Sequence, residues 1–141
     1  SREELTEIVD DLLERVGLGA EDGQKFPHEF SGGQRQHISI ARALATRPRF
    51  LICGEPTSAL DVSIQAQILN LVKDLQEALN LTILFISHDL PVIWQMCDRI
   101  GVMQHGEIVE VSEIEDLFCH PVHPHTQSLI KLMPRLNFID T

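Results

Sequence analysis

The sequence predicts an α/β fold with a mostly parallel sheet. Three observations predict it. Two short apolar runs, Phe50–Cys53 and "LTILFIS" at 81–87, read as buried strands. Apolar residues recur at helical spacing before and between them, at Leu5, Ile8, Val9, Leu12, Leu13 and Val16, and again at Ile64, Ile68, Leu71, Val72, Leu75 and Leu79. Strands that alternate with helices carry the connections over the sheet faces, as parallel strands require.

Composition sets the bounds. The 141 residues amount to about one domain, and 43% hydrophobic content is ordinary for a globular protein. Eleven basic residues against 21 acidic ones give a net charge of −10. That disfavours a general nucleic-acid or anionic-lipid surface, since both need clustered cations. No apolar run approaches the roughly 20 residues of a membrane span. Ser1 to Asp10 is acidic and helical in pattern, so it is not expected to be a signal peptide. Cys53, Cys97 and Cys119 are far apart and odd in number, which suggests a reducing compartment.

The elements follow in order. Residues 2–16 read as an amphipathic helix, with Ser1 and Glu4 as a capping box and Gly17 as its stop. A polar loop spans 19–30. Ser31 opens a second helix that runs to about Thr46, limited by Pro48. The strand at Phe50–Cys53 leads to a third helix from Val62 to near Asn80, which Asp61 can cap. After the strand at 81–87, Pro91 to Cys97 reads as a short helix. "RIGVMQHGEIVEV" at 99–111 reads as two strands around a tight turn at His105-Gly106. Ser112 and Glu115 suggest a cap before another short helix. "CHPVHPHT" reads as a linker, and Thr126 as the cap of a last helix over 127–133.

Three segments carry residue types suited to phosphate chemistry. In "FSGGQRQHISIARAL", Ser31 and Gln34 can cap the helix reciprocally, while Gly32 and Gly33 let another molecule approach the backbone. The free N–H groups and the positive dipole end then favour an anion. The plainer reading is a capped helix with a flexible entry. Glu55 follows a strand at the carboxyl edge, where α/β proteins bind ligands, and can orient a water. The plainer reading is an acid complementing a helix dipole. His88 in "FISHD" ends the second strand, and can hydrogen-bond a phosphate oxygen or that water. An isolated histidine here is more often structural.

Together the segments resemble the nucleotide-binding domain of ABC transporter ATPases. "FSGGQ" resembles the signature motif LSGGQ, "FLICGEPTSALD" resembles Walker B with the D-loop, and "SHD" resembles the switch-histidine loop. The tail "HPVHPHTQSLIKLMP" at 120–134 is similar to the "HPxHPYTxxLL…P" ending of oligopeptide and dipeptide importer ATPases. A metal site built from Cys119, His120, His123 and His125 is the competing reading of that tail, and no second cluster completes it.

The resemblance implies roles. ATP is sandwiched between two such domains, so Ser31, Gly32, Gly33 and Gln34 would face the γ-phosphate of ATP held by the partner. Glu55 would be the catalytic glutamate, His88 the γ-phosphate sensor, and Asp61 part of the D-loop that couples the two sites. The cofactors implied are ATP and Mg²⁺. The partners implied are a second nucleotide-binding domain and membrane-spanning subunits, with no nucleic acid. The location implied is cytoplasmic, on the inner face of the membrane.

Departures from the family matter as much. No G-x-x-x-x-G-K-[ST] pattern occurs in these residues, and Lys25 after Gly17, Gly19 and Gly23 does not complete one. The expected fold is thus a partial P-loop NTPase (RecA-like) core with part of the ABC helical subdomain and without the Walker A half. Its expected divisions are 1–47 for the helical subdomain and signature helix, 48–112 for the core, and 113–141 for the importer tail. The edge beside strand 82–87 is expected to be open, and self-association through it follows. Gly54 stands where the family has the Walker B aspartate that positions Mg²⁺. Alternation along a strand would aim residues 54 and 55 to opposite faces, so Glu55 cannot replace it. Hydrolysis is expected to be impaired. His37, Trp94 and His125 also depart from the usual arginine, polar or basic residue, and tyrosine.

The leading reading is the C-terminal half of a peptide-importer ATPase, inactive on its own. The alternative is a non-catalytic module that docks its signature helix on a partner domain. A non-transport ATPase handling nucleic acid is a third reading, disfavoured by the tail and the acidic charge.

Overall fold

The computed structural model describes residues 1–58 and 60–133. The chain divides into two compact units, Ser1–Ile86 and Ser87–Thr141.

In the first unit, α1 (Arg2–Arg15) starts from the predicted capping box, with the Glu4 N–H donating to Ser1 Oγ at 3.3 Å. Gly17, at φ +75°, ends it. Two short 3₁₀ turns, Ala20–Gln24 and Pro27–Glu29, order the segment expected to be loop. Buried Asp22 accepts from Lys25 Nζ and from the Gly19 N–H, which together hold its carboxyl below the usual range. Then come α2 (Gly32–Leu44), β1 (Phe50–Gly54), α3 (Val62–Leu79) and β2 (Thr82–Ile86). The α2 helix stops short of Thr46, and Arg47 turns the chain at φ +50°. Asn80 does the same after α3 at φ +50°. The core includes Leu13, Val16, Leu44, Ile68 and Val72, so the stripe predicted for α3 packs inward, whereas Leu5, Ile8 and Val9 of the stripe predicted for α1 are exposed. His37 joins α1 to α2, its Nδ1–H donating to the Val16 carbonyl at 2.5 Å.

β1 and β2 pair in parallel, Phe50 opposite Thr82 and Gly54 opposite Ile86. They are not the buried strands expected. Cys53 is buried and Leu51, Ile83 and Phe85 are half-buried. Phe50, Ile52, Leu84 and Ile86 on the alternate face are 53, 60, 47 and 50% exposed. Parallel strands bury both faces only when both are covered. In this unit one face is.

In the second unit, α4 (Leu90–Met96) is capped by Asp89. β3 (Arg99–Gln104) and β4 (Glu107–Glu113) form an antiparallel hairpin. Its turn residues, His105 at φ +51° and Gly106 at φ +83°, are both left-handed, as a two-residue hairpin turn of type I′ needs. The register slips after Val102, which faces Glu110, so that Met103 faces Ile108. α5 (Ile114–Cys119) is entered from Glu113, not Ser112, because Ser112 still pairs with Ile100 in the sheet. α6 (Pro124–Lys131) begins ahead of the expected start, with His123 rather than Thr126 at its cap. Pro124 takes a first-turn position where its missing N–H costs nothing. Pro134, which closes the tail pattern, lies outside the described residues, as does Ala59. Val92, Ile93, Ile100, Val102, Leu117 and Phe118 are buried. Trp94 meets Phe118 edge-on at 4.9 Å, which accounts for an aromatic residue at that position. Among the described residues, no helix is long and apolar enough to cross a membrane.

Candidate functional site

The start of α2 is built from its own side chains. Ser31 Oγ accepts from the Gln34 N–H at 3.2 Å, and Gln34 Oε1 accepts from the Ser31 N–H at 3.0 Å. The glycines between them differ. Gly32 is exposed, and a Cβ there would meet nothing within 4 Å. Gly33 is buried, and a Cβ there would lie 2.8 Å from Ile64 Cγ2. Gly33 therefore lets α2 seat against the first turn of α3. That turn is capped by Asp61, whose Oδ1 accepts from the Ile64 N–H at 2.9 Å. The fold brings Ser31–Gln34 and Asp61–Ile64 together, so the positive ends of two helices lie side by side. The sequence does not show the Ile64 seat, because Ile64 reads there as one more core residue of α3.

Glu55 lies just past β1, at the carboxyl edge predicted for it, and is exposed. Its N–H donates to the Ile86 carbonyl at 2.8 Å, closing the ladder with β2. Its backbone then turns left-handed at φ +47°. This corrects the expectation that residues 54 and 55 alternate as strand neighbours. The strand alternation ends at Gly54, and a left-handed glutamate follows at a cost of about 1–2 kcal/mol. Gly54 is exposed, with open space around a Cβ at that position. A buried position for the adjacent Cys53 pushes its thiol up, away from reactivity.

His88 is exposed and follows β2 in the turn before α4, in the second unit. The same turn is stitched by the Asp89 N–H donating to Ser87 Oγ at 3.0 Å. In the tail, His123 Nδ1 accepts from the His125 N–H at 3.1 Å, so that ring nitrogen is engaged in a helix cap. Among the described residues, no group of three or more His, Cys, Asp or Glu side chains is placed to hold a metal. A hard cation such as Mg²⁺ needs several oxygen ligands. At the end of β1 this chain offers Glu55 beside a glycine, which does not make a Mg²⁺ site by itself. Separately, an apolar groove lined by Val9, Leu12, Phe30, Ile38 and Ala45 runs between α1 and α2.

Residues 2–58 match the ABC transporter family. The oligopeptide transport ATP-binding protein OppF of Bacillus subtilis (strain 168) is 53% identical over 134 residues, covering 95% of this chain and 44% of that protein. The OppF of Streptococcus mutans serotype c is 56% identical over 126 residues, covering 89% of this chain and 41% of that protein. Among solved structures, the dimeric post-hydrolysis state of the ATP-binding cassette MJ0796 bound to ADP and Pi superposes with a TM-score of 0.69 at 32% identity. That match covers 81% of this chain and 49% of the other. The chain thus spans less than half the length of the relatives it matches, and over nearly its whole length it is similar to ABC transporter ATP-binding proteins.

Proposed function

We propose that this chain is the C-terminal half of the nucleotide-binding domain of an ABC peptide importer, coupling ATP hydrolysis to transport. The observation that carries the reading is the 53–56% identity to oligopeptide transport ATP-binding proteins over nearly the whole chain. The adjoining starts of α2 and α3, and the paired ends of β1 and β2, support it geometrically.

In this reading, residues 1–47 complete the helical subdomain, 48–112 belong to the ATPase core and 113–141 form the importer tail. Ser31, Gly32, Gly33 and Gln34 meet the γ-phosphate of ATP bound to a second nucleotide-binding domain. Exposed Gly32 allows close backbone approach, and the α2 dipole favours the negative charge. Glu55 orients the attacking water, His88 contacts the γ-phosphate, and Asp61 couples the two sites while capping α3. ATP and Mg²⁺ are held mainly by the other half of the domain, so these residues alone do not turn over ATP. The membrane-spanning subunits dock on the cytoplasmic side, and the apolar groove between α1 and α2 suits such a contact.

Gly54 removes the second acid from the strand end and lowers the rate even in a whole domain. The test is a fusion of this chain behind the preceding segment of the Bacillus subtilis relative, assayed for Mg-ATP hydrolysis. The fusion with Gly54→Asp should be about 100-fold or more faster than the fusion with Gly54, the loss typical of one electrostatic contact. Equal rates would remove Gly54 as a defect. No hydrolysis in either would count against the ATPase reading.

A further inference from the structure

Glu110 of β4 reaches out of the hairpin to the segment ahead of α6. Its Oε1 accepts from the Val122 N–H and its Oε2 from the His123 N–H, each at 2.9 Å. That segment is bonded to itself as well. His123 caps α6, and Gln127 Nε2 donates to the Pro121 and Val122 carbonyls at 3.0 and 3.3 Å. Loop and helix start therefore form one piece, and Glu110 ties that piece to the hairpin.

The packing of α6 is thin by comparison. Thr126 is the buried residue it contributes, at 1% exposure, and Leu129 and Ile130 are only half-buried. The Thr126 hydroxyl is the largest influence holding the Glu110 carboxyl below its usual range, followed by the Val122 amide. The His123 amide and imidazole act in the same direction. Because Thr126 Oγ1 completes no hydrogen bond of normal geometry, the two amide bonds are the ones that fasten the tail. An ionised carboxylate accepting two N–H groups at the positive end of a helix is the stronger kind of bond.

We propose that Glu110 is a latch for the importer-type tail: with its carboxylate in place α6 is docked, and without it the loop and α6 leave the hairpin as one piece. The hairpin and α5 keep their own core, Ile100, Val102, Leu117 and Phe118. The tail can then be freed without unfolding what it rests on.

Hydrogen exchange on the whole chain tests this, comparing Glu110→Gln, Glu110→Ala and the control Glu113→Gln. Glu113 is an exposed acid of the same strand, paired with Arg99. Both Glu110 variants should speed exchange of the α6 amides about tenfold or more, with β3 and β4 amides unchanged. The control should leave both regions as they are. Unchanged α6 protection in Glu110→Ala would overturn the latch, since packing alone would then hold the tail. Equal loss from hairpin and α6 in Glu110→Gln, or the same loss in Glu113→Gln, would overturn it too.

Discussion

Gly32 and Gly33 are neighbours with opposite surroundings. A methyl group at Gly33 collides with Ile64 Cγ2 at 2.8 Å, while one at Gly32 meets nothing. Gly33→Ala should therefore destabilise the chain by about 1–3 kcal/mol, the range for overpacking. Gly32→Ala should leave thermal stability unchanged or slightly raised, since alanine suits a helix better. Adding Ile64→Ala to Gly33→Ala should recover part of the overpacking loss. Equal melting points for the two single variants would refute the packing account. The sequence presents the two glycines as a pair and does not distinguish them, because the collision partner lies on another helix. Gly54 is the opposite case. Its departure from the family is visible in the sequence, and open space around it predicts that Gly54→Asp changes stability by less than about 0.5 kcal/mol.

At the scale of elements, helix starts are where structure and proposed function share residues. Asp61 caps α3, so Asp61→Ala should cost about 1 kcal/mol in thermal or denaturant unfolding. Asp61→Asn keeps a capping oxygen and should keep nearly all of that stability. Full loss in Asp61→Asn would mean that charge rather than the cap is responsible. The tail responds to acid with a definite sign. Glu110 titrates below its usual value in the folded chain, so its contribution is complete above the ordinary glutamate pKa of about 4.3 and is lost as pH falls through the lower folded value. α6 protection should hold from neutral pH to about pH 4 and then fall before that of the hairpin. Loss of α6 protection near pH 6 would implicate a histidine instead. The helices α1 and α3 and the hairpin were legible because periodicity, caps and the His105-Gly106 turn agree. The start of α6 was not, since two prolines read as a linker although one of them suits a first helical turn. The Glu110 tie was not legible either, because nothing in a strand acid says which distant amides it will meet.

For the whole molecule, the apolar character of β1 and β2 was readable and its cover was not. Periodicity reports which side chains are apolar, and burial depends on what else stands over them. Phe50, Ile52, Leu84 and Ile86 form an exposed apolar face on a sheet that has two strands among the described residues. The isolated chain should self-associate as its concentration rises, and Ile52→Lys with Leu84→Glu should reduce this in light scattering. A monomer at all concentrations would contradict it. The proposed ATPase role rests on Glu55, exposed at the end of β1 beside the open position at Gly54. The most direct test is Mg-ATP hydrolysis by the fused domain carrying Gly54→Asp, with and without Glu55→Gln. Removing that carboxylate should lower the rate about 100-fold or more, with ATP binding retained. Hydrolysis undiminished by Glu55→Gln would contradict the proposed role.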